Sequence, residues 1–146
     1  MMVASKRPNR VRFRYDIDND VVIAIPDWLV ETEADVLAWS SQYASFLAPF
    51  RRKMDLIIDL EKFDVTPRMG AAWGAARAKI AHDYLRFHVR VHPSHRVQLF
   101  VNTSGVRHSI ATEEAPTISA AIDVIKRARQ AAEPPADPHV GPTSRR

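Results

Sequence analysis

The stretch Met54 to Leu60, MDLIIDL, is an almost continuous apolar run without polar alternation. A strand with one wet face alternates apolar and polar residues, whereas a strand covered on both faces reads as an unbroken apolar run. Residues 54–60 are therefore expected to form the central strand of a sheet flanked by helices. On the amino-terminal side, Thr32 with Asp35 three residues on has the pattern of a capping box. Val36, Tyr43, Leu47 and Phe50 recur near the helical period, and Pro49 marks the end of a helix over about residues 33–48. Further out, Val11, Phe13, Tyr15 and Ile17 alternate with Arg12, Arg14, Asp16 and Asp18, the pattern of a strand with one buried face. Asp18, Asn19 and Asp20 supply a turn, and the β-branched run Val21 to Ile25, closed by Pro26 and Asp27, completes a hairpin.

On the carboxyl-terminal side, Thr66 followed by Pro67 reads as a capped helix start, with Met69, Trp73, Ala76 and Ile80 on one face. Phe87, Val89 and Val91 alternate with Arg86, His88, Arg90 and His92 in a strand ending at Pro93. Ser94 opens a short helix with Val97, Leu99 and Phe100, broken at Asn102 to Gly105, and a weak strand is expected around Ser109 to Thr112. Thr117 caps a last helix that turns Ile118, Ile122 and Ile125 inward and carries Lys126, Arg127 and Arg129 at the end that favours cations. The fold class is α/β: an opening β-hairpin, then alternating helices and strands, giving a mainly parallel mixed sheet covered by helices.

Length and composition fit one such domain: 146 residues, 46% hydrophobic, too few for a multidomain enzyme. Lys plus Arg exceed Asp plus Glu by 21 to 17, too little to mark a nucleic-acid binder by itself, and with no cysteine thiol chemistry is excluded. No apolar stretch approaches the roughly 20 residues of a spanning helix, and residues 1–10 lack a signal-peptide core, so a cytoplasmic protein is expected. Residues 1–10 read as a flexible basic arm, 11–130 as the folded domain and 131–146, with four prolines, as a disordered tail. Lys6, Arg7, Arg10, Arg12 and Arg14 lack interleaved stacking aromatics, so only weak, unspecific attraction to nucleic acid is expected.

In size and element order the chain resembles the STAS fold of bacterial anti-sigma factor antagonists and the related SpoIIAA-like proteins. Three segments carry the resemblance over residues 11–130. Asp55 to Leu60 (DLIIDL) is similar to the family's central strand, with Asp59 at its acidic end. Met69, Gly70, Ala71 and Ala72 fall where the family has a Ser-Gly step into helix two. Pro93 to Val106 (PSHRVQLFVNTSGV) is similar to the segment in which a short helix and a Ser-Gly pair precede the last strand. The resemblance implies a non-enzymatic, regulatory protein-interaction domain. Family members that switch by phosphorylation carry Asp-Ser-Ser-Gly at the start of helix two; this chain has Pro67, Arg68, Met69, Gly70 and so no hydroxyl there. Thr66 reads as the helix cap rather than a phosphosite, which places the chain with the non-switching relatives, closer to the SpoIIAA-like branch.

Other chemistry finds little support. His82, His88, His92, His95 and His108 invite a metal reading, but Arg86 and Arg90 share the strand face of His88 and His92, and a solvated basic face repels a cation. Ser94 near His92 and His95 sits where a helix cap is needed, without nucleophile-elbow spacing. With four glycines and no phosphate-loop or dinucleotide fingerprint, no nucleotide cofactor is expected, nor any other. Gly70 and Gly74 let helix two lie close to the sheet. Trp28, Leu29 and Trp39 are either core residues or an exposed apolar patch, the core reading being favoured.

Two functions remain. The first is a protein-interaction surface at the carboxyl end of the central strand and the start of helix two, formed by Phe63, Thr66, Arg68 and Met69, residues that also suit an ordinary connecting loop. The second is a carrier or sensor whose small apolar or anionic ligand lies between helix one, helix two and the sheet, lined by Trp39, Phe63 and Trp73. Whether the hairpin edge makes a homodimer is open.

Overall fold

The computed structural model describes residues 7–108 and 113–133. Strand β1 (Arg10–Asp16) turns into β2 (Val21–Val30), and helix α1 (Glu33–Leu47) leads through a 3-10 turn at Ala48–Phe50 to β3 (Met54–Asp59). A short β4 (Phe63–Val65) and a second 3-10 turn (Pro67–Met69) precede α2 (Gly70–Tyr84), followed by β5 (Leu85–Val91), α3 (His95–His108), β6 (Glu113–Ala115) and α4 (Ile118–Ala132). The sheet order is β1-β2-β3-β5-β6, with β1 antiparallel to β2 and the remaining pairs parallel, and β4 pairs with the far half of β2. β3 is central, as its unbroken apolar run requires. Leu56 faces a core shared with α1, α2 and α3, and Ile57 faces a second core under α4.

Local chemistry fixes the ends. Thr32 and Asp35 close the capping box of α1, and the Thr117 hydroxyl accepts the Ala120 N–H at 3.0 Å. In the hairpin turn Asp16 accepts from the Asn19 backbone and side chain, and Asp20 takes a left-handed conformation (φ 53°) that Asp tolerates.

Several elements depart from the expected pattern. β2 runs through Pro26 to Val30. Pro26 pairs with Val11, whose N–H turns away to Gln42, so the pair is one without ladder bonds and the proline nitrogen faces the other side of β2. On that side the pairing of β2 with β3 has ended at Ala24 and its pairing with β4 begins only at Trp28, so no ladder bond is lost. The lengthened strand carries Trp28 into the core at 2% exposure, and Trp39 is 3% exposed, which removes the aromatic-patch reading; Ile17, expected on the buried face, lies in the turn at 74%.

Thr66 does not cap α2 with its side chain. Its carbonyl accepts the Met69 N–H in the 3-10 turn while its own N–H donates to Val30 as β4 ends. Gly70 serves α3 rather than the sheet, since a Cβ there would stand 2.5 Å from the Phe100 ring. α3 continues past Asn102 and through Gly105, anchored by the buried pair Val97 and Val101 one turn apart, so packing overrides weak local propensity. The strand expected at Ser109 to Thr112 lies outside the described residues, and β6 forms immediately after them.

The strand β5 contains a bulge: Met54 pairs with Leu85 but Leu56 with His88, so Arg86 and Phe87 together oppose Asp55. Arg86 and Phe87 therefore both turn toward α4, whereas His88 and Arg90 point under α2. The expected solvated basic face is in fact divided: Arg86 is exposed, and Arg90 is buried at 5%.

Candidate functional site

The start of α2 follows directly from β4, whose pairing with β2 brings residues 63–69 to the carboxyl edge of the sheet. Burial sorts the four residues expected there. Phe63 is 2% exposed and Met69 7%, so both belong to the core and neither can form a contact surface. Thr66 is half-buried, and Arg68, with its neighbours Pro67, Ala71 and Ala72, is exposed. Nearby, Asp64 holds Arg96 of α3 through two bonds of 3.1 and 2.7 Å, and Arg7 donates to the Lys62 carbonyl at 2.8 Å, which ties the end of the basic arm to this edge. His92 meets carboxylates that chain order hides: Asp59 at 3.3 Å, with Glu61 close by. Asp59 is half-buried, Glu61 and His92 are exposed, and such acidic groups are common at a strand edge.

Behind this edge lies an aromatic cluster. Trp39 of α1 stands 5.6 Å from Trp73 of α2 and 6.3 Å from Phe63, and Trp39 and Tyr43 are 4.4 Å apart. The three residues expected to line a ligand site thus meet, although Phe63 stands behind the cavity that opens beside them. That cavity, of about 30 Å³, is bounded by Trp39, Tyr43, Trp73, Arg77, His88 and Arg90 together with aliphatic side chains from the sheet, α2 and α3.

Arg77 and Arg90 were not among the expected site residues. Arg77 lies four residues after Trp73 and three before Ile80, so the sequence does place a cation within the apolar stripe of α2. Burial, with Arg90 adding its charge, lowers the Arg77 pKa to about 10. Burial, then Arg77 and Arg90, hold the His88 pKa down at about 4, so this imidazole is neutral at physiological pH. Burial alone raises the Tyr43 hydroxyl well above its ordinary value.

The opposite face is organised by Asp55, 3% exposed, whose carboxylate accepts from Arg86, the Phe87 N–H and Arg129 of α4. Beside it an open groove of about 620 Å³ between β5 and α4 is rimmed by Lys53, Arg86 and Arg127.

A hairpin-led mixed sheet, parallel beyond its first pair and packed against helices on both faces, defines an α/β domain. No protein-family model matches the sequence, and no curated protein matches it. Among solved structures, the anti-sigma factor antagonist SpoIIAA in its unphosphorylated form superimposes with a TM-score of 0.53 and 16% identity, over 81% of this chain and 97% of that one. At that identity the likeness establishes the fold. Among the described residues no helix is long and apolar enough to cross a membrane.

Proposed function

We propose that this chain is a non-enzymatic, cytoplasmic protein-interaction domain of regulatory type that works without a phosphorylation switch, through a surface centred on Arg68 and Thr66. The observation that carries the reading is Arg68 itself. It lies exposed in the first turn leading into α2 and makes no hydrogen bond or ion pair within the described residues. A cation there is unfavourable to the helix dipole by a few tenths of a kcal/mol, about 0.3, so it serves neither capping nor core. Beside it Ala71 and Ala72 are exposed and add no charge or side-chain hydrogen-bonding group of their own. The Ser94 hydroxyl accepts the Val97 N–H at 3.1 Å as the cap of α3, a structural use that supports the non-enzymatic reading.

Arg68→Glu should leave thermal unfolding unchanged or slightly improved while weakening a desolvated contact by about 2–5 kcal/mol. Thermal melts and recovery of host proteins on the immobilised variant, beside Lys126→Glu on the exposed face of α4, test the reading. Equal recovery of the same partner by both variants refutes the assignment of the surface. The cavity beside Trp39 and Trp73 favours a second reading, a carrier or sensor of a small ligand.

A further inference from the structure

We propose that the cavity between α1, α2, α3 and the sheet binds a small monovalent anion, held by Arg77 and Arg90 with Tyr43, Trp39 and Trp73 as neutral donors. The inference deepens the carrier or sensor reading by naming the class of ligand, and it is independent of the Arg68 surface. Among the described residues six buried side-chain polar atoms lack a hydrogen-bond partner: Trp39 Nε1, Tyr43 OH, Trp73 Nε1, Arg77 Nη1, and Arg90 Nε and Nη1. All belong to residues that line this one cavity, and all carry a proton to donate. Buried polar groups are paired in the great majority of cases, so six orphans gathered around one space, with donors on every side, describe the outline of an acceptor.

Charge narrows the choice. Arg90 has Glu114 at 3.6 Å, and Glu114 also accepts from Gln98, whereas Arg77 has no acidic partner among the described residues. Glu113 also acts on Arg90, so the charge left without a counter-ion is that of Arg77, a buried guanidinium in an apolar setting, where an unpaired ion is strongly disfavoured. Water satisfies donors but brings no charge; a monovalent anion does both. A volume of about 30 Å³ exceeds what one water needs and is far below the size of a nucleotide. A compact oxyanion such as nitrate, bicarbonate or a short carboxylate fits in charge and in size.

The test uses nitrate, a small planar anion that quenches indole fluorescence on contact. Trp28, Trp39 and Trp73 are each no more than 3% exposed, so nitrate can reach an indole only through the cavity. With ionic strength held constant by sodium sulfate, nitrate should quench saturably and raise the unfolding temperature, and acetate should compete. Arg77→Met should weaken the apparent affinity about 100-fold or more. With sulfate as the only small anion present this variant should be at least as stable as wild type, because it removes an unpaired buried charge. Non-saturating quenching, the same titration in both proteins, or lower stability of Arg77→Met in sulfate alone overturns the proposal. Should Arg77→Met not fold, saturation and acetate competition in wild type decide. A native mass spectrum separates the two levels: a retained apolar molecule overturns the anion while keeping the carrier reading, and a bare mass with no saturation ends both.

Discussion

Replacing Asp55 with alanine removes the acceptor on which the second face of the protein converges. Its carboxylate, 3% exposed, accepts Arg129 Nε at 2.7 Å, Arg86 Nη2 at 2.9 Å, the Phe87 N–H at 3.1 Å and Arg86 Nε at 3.2 Å. The three donors lose unequally. Arg86 is half exposed and returns to water, a loss of about 1 kcal/mol or less. The Phe87 N–H, inside the bulge, is stranded at a cost of about 1–3 kcal/mol. Arg129 has a side chain only 24% exposed and keeps two carbonyl acceptors, Asn19 and Asp20, but loses its counter-charge. Breaking a buried pair costs about 3–5 kcal/mol, and because these losses share one site they do not add; the expected total is about 4 kcal/mol. That is a large share of the roughly 5–15 kcal/mol that holds a domain folded. Urea unfolding followed by tryptophan emission should show a lower midpoint with an unchanged slope. A double-mutant cycle should give strong coupling of Asp55 to Arg129 and weak coupling to Arg86. A loss below about 1 kcal/mol for Asp55→Ala, or stronger coupling to Arg86, refutes the reasoning.

Three further outcomes are expected. His88 ionises at about 4 in the folded chain against roughly 6.5 unfolded, so between these values the unfolded state holds a proton that the native state lacks. Stability is therefore full above pH 6.5 and falls by about 3 kcal/mol toward pH 4; His88→Asn should flatten that part of a urea-midpoint profile, and parallel curves would contradict it. Gly70→Ala should destabilise by about 1–3 kcal/mol despite the better helix former, because its Cβ meets the Phe100 ring at 2.5 Å, and Phe100→Ala should restore much of the loss in a melting series. Intact-mass and peptide analysis of protein from growing cells should find no phosphate between Phe63 and Trp73; a substantial fraction at Thr66 would defeat the non-switching reading.

What was legible in the sequence was whatever repeats or caps locally. The unbroken run at Met54 to Leu60, the alternation of Val11 to Tyr15 and the caps at Thr32 and Thr117 each locate an element without knowledge of its neighbours. The features that stayed hidden depend on partners. Pro26 stays in β2 only because the strands beside β2 change over at that point. β4 is three residues long and exists through its pairing with β2, and the bulge at Arg86 and Phe87 is invisible to a count of alternate residues. The site was hidden for the same reason. Trp73 was legible on the apolar stripe of helix two, whereas Trp39 lay between the positions read as inward on helix one, and Arg90 reaches the cavity only because the bulge resets the phase of β5. Phe63, by contrast, looked like a loop residue until β4 drew it inside, whereas Met69, read both on the apolar face of helix two and in the contact surface, kept only the first of these places.

The clasp from Arg129 to the carbonyls of Asn19 and Asp20 joins groups 110 and 109 residues apart. The hairpin turn can form as soon as it is synthesised, through the local bonds of Asp16 to Asn19 and Tyr15 to Asp20. Its final lock must wait for α4. At about 5–20 residues per second, that is a delay of roughly 5–20 s on the ribosome. During that interval Asp55 can engage Arg86, 31 residues away, but not Arg129, 74 away, and the α4 face of the sheet stays uncovered. The nascent chain is thus most vulnerable to aggregation on the face opposite the cavity, and closure of the longest loop, with its entropic cost, falls at the end of folding.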